Sequence, residues 1–262
     1  MKLKKIYLAI LSLALASFSC KSKTDPDPLL PGDSEAWFFQ ATGDNATGKT
    51  VVILPGGGYG GHAIDHEGFD WVPFFNDLGI NVAVLKYKLP DGNFEIPLND
   101  VKATIESLQK NAGQYHINPA DIGVMGFSAG GHLASAYSTH AEGAVRPAFQ
   151  ILFYPVVSLK SELTHQGSRD SFLGADQSEE RVKMFSGEEQ VTASTPPAII
   201  FHSHDDDLVV PDNSILYYQA LRRAGVPASL HIYPVGGHGW GFRDKFPYHD
   251  VMLRELAAWL TR

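Results

Sequence analysis

Residues 122–135 read IGVMGFSAGGHLAS. An apolar run ends in Gly126-Phe127-Ser128-Ala129-Gly130, and an alanine-rich helical pattern follows. Strand, sharp turn and helix in that order make the elbow that presents a serine hydroxyl as a nucleophile. The two backbones pass close together at such a turn, so the residues around the serine must be small. Gly126 and Gly130 meet that need, and Gly131 gives the helix further room. The bare pattern GxSxG is common; the apolar run before it and the helix after it give it meaning.

A nucleophilic serine needs a base, and the base needs a carboxylate to fix its tautomer. In a fold with this elbow the acid follows a late strand and the histidine lies near the C-terminus. Residues 196–211, PPAIIFHSHDDDLVVP, are an apolar strand that ends in three aspartates. Residues 229–240, SLHIYPVGGHGW, are another strand that ends in a glycine-rich loop with His238. Ser128, one aspartate of 205–207 and His238 therefore form a candidate triad.

Residues 50–61, TVVILPGGGYGG, run from an apolar strand into glycines. Such a loop supplies one oxyanion donor, and the N–H after the nucleophile supplies the other. Gly57, Gly58 and Ala129 are the candidates. The stretch also matches GxGxxG at Gly56, Gly58 and Gly61. A dinucleotide site wants an acidic residue at the end of the next strand. That strand, NVAVLKY, ends in Lys86 and Tyr87, which argues against nucleotide binding.

Strand-like runs near 51–54, 82–85, 122–127, 149–154, 198–201 and 230–233 alternate with helical patterns. Leu98, Val101, Ile105 and Leu108 form one apolar stripe, and 213–224 and 249–260 read similarly. The expectation is an α/β fold, a mostly parallel sheet with helices on both faces. The polar stretch 161–195 sits between two strands, as a small cap-like insertion or a surface loop.

Lys2, Lys4 and Lys5 precede an apolar segment, 6–18, too short to span a bilayer comfortably. Residues 1–19 read as a signal peptide. Its end, Ser17-Phe18-Ser19-Cys20, resembles the relaxed lipoprotein signals of Bacteroidetes. Cys20, the one cysteine in the chain, would be the lipidated mature N-terminus. An ordinary cleaved signal is the alternative. Residues 20–34, rich in proline and aspartate, read as a flexible tether, and 35–262 as one domain. The formal charge is −8, and loss of residues 1–19 with their three lysines takes it to −11. With no basic run, nucleic acid is not an expected partner.

His202, His204 and the aspartates resemble a zinc set, but the triad accounts for an acid there and no metal is expected. His132 and His140 read as packing or capping residues. Asp65-His66-Glu67 follows the glycine loop and either binds substrate or caps a helix near Phe69. Tyr59, His66 and Trp240 are candidate substrate contacts; Trp240, beside His238, either stacks on a sugar ring or packs the loop.

Taken together, LPGGGYGGHAIDHEG, GFSAGGHLAS, HQGSRDSFLG, VTASTPP and DDDLVVPDNSILYYQALRRAGVPASLHIYPVGGHGWG resemble the α/β-hydrolase esterases of the acetylxylan esterase or xylan-esterase-like family. The resemblance spans nearly the whole domain. It implies a secreted or lipid-anchored carbohydrate esterase without a cofactor, acting on acetylated plant polysaccharide or oligosaccharide at the cell envelope. Carried over by position, Ser128 is the nucleophile and His238 the base. The acid strand is also similar to that of prolyl-oligopeptidase-type hydrolases, His-x-x-x-Asp continuing Asp-x-Val-Val-Pro. Both registers select Asp206.

Nothing in these motifs reads an acetyl group. A general carboxylesterase of small esters is the rival enzyme. A catalytically inactive, lipid-anchored glycan-binding protein is the rival from another class.

Overall fold

The structure is a computed structural model that describes residues 27–29 and 35–261. Eight strands form one sheet in the order β1-β2-β4-β3-β5-β6-β7-β8. They are β1 (Asp27–Pro28), β2 (Glu35–Phe39), β3 (Thr50–Leu54), β4 (Asn81–Lys86), β5 (Ile122–Phe127), β6 (Gln150–Phe153), β7 (Ala198–Ser203) and β8 (Ala228–Tyr233). β1 and β2 pair antiparallel at one edge, and every pairing from β4 to β8 is parallel.

Central strands of this kind are apolar throughout because both sheet faces are covered. β3 illustrates it. Val52 and Leu54 point into one core, Val51 and Ile53 into the other, and all four are fully buried. The first core is covered by α2 (Glu95–Lys110), α4 (Ala129–His140), α5 (Gln166–Leu173) and α8 (Asp212–Arg223), with the short α3 (Ala112–Tyr115), α6 (Glu179–Met184) and α7 (Gly187–Gln190) nearby. The second is covered by α1 (Val72–Asp77) and α9 (His249–Leu260). Met252, Leu256 and Leu260, spaced at one helical turn, are buried on α9. Each side chain contributes about 1.5–3 kcal/mol by leaving water. This is the α/β-hydrolase arrangement.

All six expected strands are present, β5 with the expected bounds and the others lengthened or trimmed by a residue or two. Two more lie at the edge. β2 was not anticipated, and β1 comes from the stretch expected to be a tether. Asp27 and Pro28 pair with Phe38 and Trp37. Leu29 is buried, its N–H donates to Ala36 O, and its carbonyl accepts from Ser107 Oγ. The folded domain therefore includes residues 27–29. Residues 1–26, with the signal and Cys20, lie outside the described residues. The helix expected near Phe69 is a short 3-10 turn, Phe69–Trp71, that leads into α1.

The insertion 161–195 folds into α5, α6 and α7. Phe172 of α5 packs against Tyr59 of the glycine loop, and a Cβ on Gly58 would lie 3.4 Å from His165 Cε1. The insertion thus lies against the loop that follows β3.

Candidate active site

The carboxyl ends of neighbouring parallel strands are where open α/β sheets place their ligands. Here β3 ends in the glycine loop, β5 in Ser128, β6 in Tyr154, β7 in Asp206 and β8 in the His238 loop.

Ser128 caps α4 with φ 52° and ψ −119°, a conformation that side-chain-bearing residues rarely adopt. Three hydrogen bonds hold it there. Its N–H donates to Phe153 O, and its carbonyl accepts from His132 N and Val156 N. The close approach expected of the flanking glycines is present. A Cβ on Gly126 would sit 2.2 Å from Gly130 O, and one on Gly130 would sit 2.1 Å from Leu54 O.

His238 Nε2 lies 2.8 Å from Ser128 Oγ, and its Nδ1 lies 2.7 Å from Asp206 Oδ2. A carboxylate can only accept, so Nδ1 carries the proton and Nε2 is left to accept from the serine hydroxyl. The structure brings the three residues together in the order nucleophile, base, acid. Among the three aspartates, Asp206 is buried while Asp205 and Asp207 are exposed. Asp206 Oδ1 also accepts from Leu208 N and Val209 N. Burial works against its charge, yet hydrogen bonds from His202, His238 and Val209 N–H outweigh it. They hold the carboxyl well below the usual carboxylate range. Asp205 does not reach the imidazole and instead accepts from Gly237 N at 2.8 Å.

The glycine loop turns through positive φ at Gly57, Gly58 and Tyr59. Gly60 N donates to Gly57 O and Ala63 N to Gly56 O. A Cβ on Gly56 would lie 2.9 Å from Ser128 Cβ, so the loop starts against the nucleophile. Among the described residues, the N–H groups of Gly57, Gly58 and Ala129 donate to no protein acceptor.

The candidate substrate contacts fare differently. Trp240 is 4% exposed, stacks on Phe246 at 3.9 Å and donates from Nε1 to Ser203 Oγ. Phe153 and Tyr154 close on it edge to face. No ring face is left for a sugar, so Trp240 is a core residue that anchors the His238 loop. Tyr59 is also buried, and its hydroxyl meets His132 Nδ1. With Gly60, Asp91, Gly92, Asp170 and Gly174 it lines a cleft of about 740 Å³ beside the glycine loop. His66 is partly exposed, takes a 3.4 Å contact from Arg243 Nη2 and accepts Phe242 N at its carbonyl. It caps no helix, since the N-cap of the Phe69–Trp71 turn is Gly68 and there is no side-chain cap hydrogen bond.

His202 donates from Nε2 to Val209 O and accepts from Ser214 Oγ at Nδ1, with Asp206 Oδ2 3.3 Å away. It braces the acid from behind. His132 is buried between Tyr59 and Phe185 O, and His140 Nδ1 donates to Ala136 O in the last turn of α4. Two further side chains reach the site, one unassigned in the sequence and one read there only as part of a substrate-binding or helix-capping stretch. His165 comes in from the insertion, and burial, then the nearby His238, holds its ring below the usual value. Glu67 is buried between the glycine loop and Tyr154. Only the neighbourhood of each in sequence could have signalled them: HQGSRDSFLG for the first, the glycine loop for the second.

The BD-FAE family model matches residues 38–221. The chain belongs to the BD-FAE family. Its BD-FAE match runs from within β2 into α8 and so includes the glycine loop, Ser128 and Asp206. The chain is similar to an acetylxylan esterase of Xylanibacter ruminicola, 42% identical over 235 residues. That match covers 88% of this chain and 49% of the relative. It is also similar to endo-1,4-beta-xylanase B of Butyrivibrio fibrisolvens, 32% identical over 75% of this chain and 33% of the relative. The chain thus spans half or less of the length of these two proteins. Among solved structures, an acetyl ester-xyloside bifunctional hydrolase from Caldicellulosiruptor lactoaceticus superposes with a TM-score of 0.81. The two are 33% identical, and the match covers 90% of each chain.

Proposed function

We propose that the protein is a serine carboxylic-ester hydrolase that removes acetyl groups from xylan or xylo-oligosaccharides. The observation that carries this reading is the continuous relay from Ser128 through His238 to Asp206 at 2.8 and 2.7 Å. Ser128 Oγ attacks the ester carbonyl while His238 Nε2 takes its proton. The free N–H groups of Gly57, Gly58 and Ala129 receive the oxyanion. His238 then protonates the departing sugar oxygen, leaving an acetyl group on Ser128. Water, activated by the same imidazole, releases acetate. Asp206 holds the imidazole in the right tautomer and stabilises its charged form. No cofactor enters these steps.

The substrate class is supported by the names of the relatives, two of which concern xylan while the third is an acetyl ester-xyloside bifunctional hydrolase. We place the glycan in the cleft beside the glycine loop. Acetate release from acetylated xylan, acetylated pectin and aryl acetates tests the reading. Acetylated xylan should be the preferred polymer. Rapid aryl acetate turnover with no acetate from xylan would make it a general carboxylesterase. A purified protein with no turnover on any ester would instead be a glycan-binding relative.

Cys20 as a lipid anchor at the cell envelope is the second part of this reading. Its support is sequence alone: the lysines, the short apolar segment and the chain's single cysteine at its end. Among the described residues no helix is long and apolar enough to cross a membrane.

A further inference from the structure

Glu67 is 2% exposed and takes no part in the triad. Its Oε2 accepts Gly56 N–H at 2.8 Å, and its Oε1 accepts Tyr154 O–H at 2.8 Å. The Tyr154 hydroxyl oxygen in turn accepts Gly241 N–H at 2.8 Å. One chain of hydrogen bonds therefore runs from the glycine loop, through the end of β6, to the His238 loop. Both ends matter to the reaction. Gly56 touches Ser128 and precedes the oxyanion donors Gly57 and Gly58. Gly241 lies three residues beyond His238, whose ring meets the Tyr154 ring edge to face at 4.8 Å.

The arrangement suits a carboxylate. Gly56 N–H and Tyr154 O–H both donate, so both oxygens of residue 67 must accept. A glutamine would turn an NH2 group toward one of them. Burial disfavours the charge and raises the Glu67 pKa, while the Tyr154 and Gly56 hydrogen bonds act against that rise. His66 Nε2, 3.9 Å away, and then His238 also act weakly against the rise. A buried charge with so little compensation is weak evidence of a stabilising role. Tyr154 adds local strain, with φ at 35°.

We propose that Glu67 is a positioning residue that locks the glycine loop and the His238 loop in one register, so that oxyanion donors and base meet Ser128 together. The proposal rests on the esterase reading above. It assigns Glu67 and Tyr154 to one unit and gives the Asp65-His66-Glu67 stretch a role other than helix capping.

The test compares Glu67→Gln, Tyr154→Phe and the double variant, in the full chain, on an aryl acetate. Active sites are counted by exhaustive labelling with a fluorophosphonate, so that kcat is expressed per competent site. Glu67→Gln should lower kcat per site by about 100-fold with KM held within about threefold, the scale of a small misplacement in a reacting geometry. Tyr154→Phe should lower it by about tenfold, and the double variant should be no worse than Glu67→Gln, because one chain breaks only once. A structural role alone would reduce the number of labelled sites and leave kcat per site unchanged. That result, a loss confined to KM, or losses that multiply in the double variant would overturn the proposal. If Glu67→Gln does not fold, Tyr154→Phe decides, since it removes a single hydroxyl. Wild-type protein inactive on the ester would sink the esterase reading itself; active wild type with unimpaired variants would sink only this inference.

Discussion

Asp205 and Gly237 are joined by a hydrogen bond of 2.8 Å, one residue before the histidine that Asp206 holds. Two adjacent aspartates therefore grip the same loop, one by its backbone and one by its imidazole. Asp206→Asn should lower kcat by about 10⁴, the scale of losing the acid of a serine triad. Asp205→Asn keeps an oxygen for Gly237 and should stay within about threefold, whereas Asp205→Ala frees the loop and should cost about tenfold. Asp207→Asn should stay within about threefold as an exposed site. Initial rates on an aryl acetate check the series; an Asp207 variant as crippled as Asp206→Asn would reassign the acid.

Ser128→Ala should lower kcat by about five to six orders of magnitude without loss of structure. Residual activity above about a hundredth of wild type, in protein free of contaminating esterase, would remove Ser128 from its role.

The packing of α4 on β3 gives a stability prediction. A Cβ on Gly130 would meet two backbone oxygens, Leu54 O at 2.1 Å and Pro55 O at 2.6 Å. Backbone cannot swing aside as a side chain can, so Gly130→Ala should cost more than about 2 kcal/mol. Gly113 in α3 has nothing within 4 Å, and Gly113→Ala should be neutral or gain up to about 1 kcal/mol. Urea unfolding of the two variants tells them apart, and equal midpoints would contradict the close approach.

Stability should also depend on pH through His132. Complete burial holds its pKa down at about 4, against an ordinary 6.5. Between those values the unfolded chain binds a proton that the folded chain refuses, so stability falls as pH falls across the window. The loss should reach about 2 kcal/mol at pH 5 relative to pH 7. Asp206 has the same sign in a lower window: its folded pKa is depressed, so its contribution is present above the ordinary carboxylate range and lost below it. Denaturant titrations from pH 7.5 to 4.5 measure the slope. His132→Gln should flatten it between pH 6.5 and 4.5; an unchanged slope would place the proton uptake elsewhere.

The parts legible in the sequence were those fixed by local chain geometry. Ser128, His238 and the aspartates each sit at a strand end, and an apolar run followed by a turn announces such a place. What escaped depends on meetings across the fold. Glu67 and Tyr154 are 87 residues apart, and no spacing rule connects them. Trp240 stands two residues from His238, but adjacency says nothing of which side of the loop faces the core. β1 was missed because two residues of a proline- and aspartate-rich stretch carry no alternation; their partner strand recruits them.

Cys20→Ser should move the protein from the membrane fraction to the soluble one. A single acyl chain binds weakly, so stable attachment requires several chains on that residue. Wild-type protein found soluble after signal cleavage would end the anchor proposal.

The pairing of Asp27 with Phe38 limits what such an anchor allows. From Cys20 to the start of the sheet, the chain spans at most about 25 Å at full extension. An enzyme on so short a leash patrols a thin layer above the lipid headgroups. It would meet glycans already brought to that membrane, and would leave long polymers in the surrounding medium to untethered enzymes.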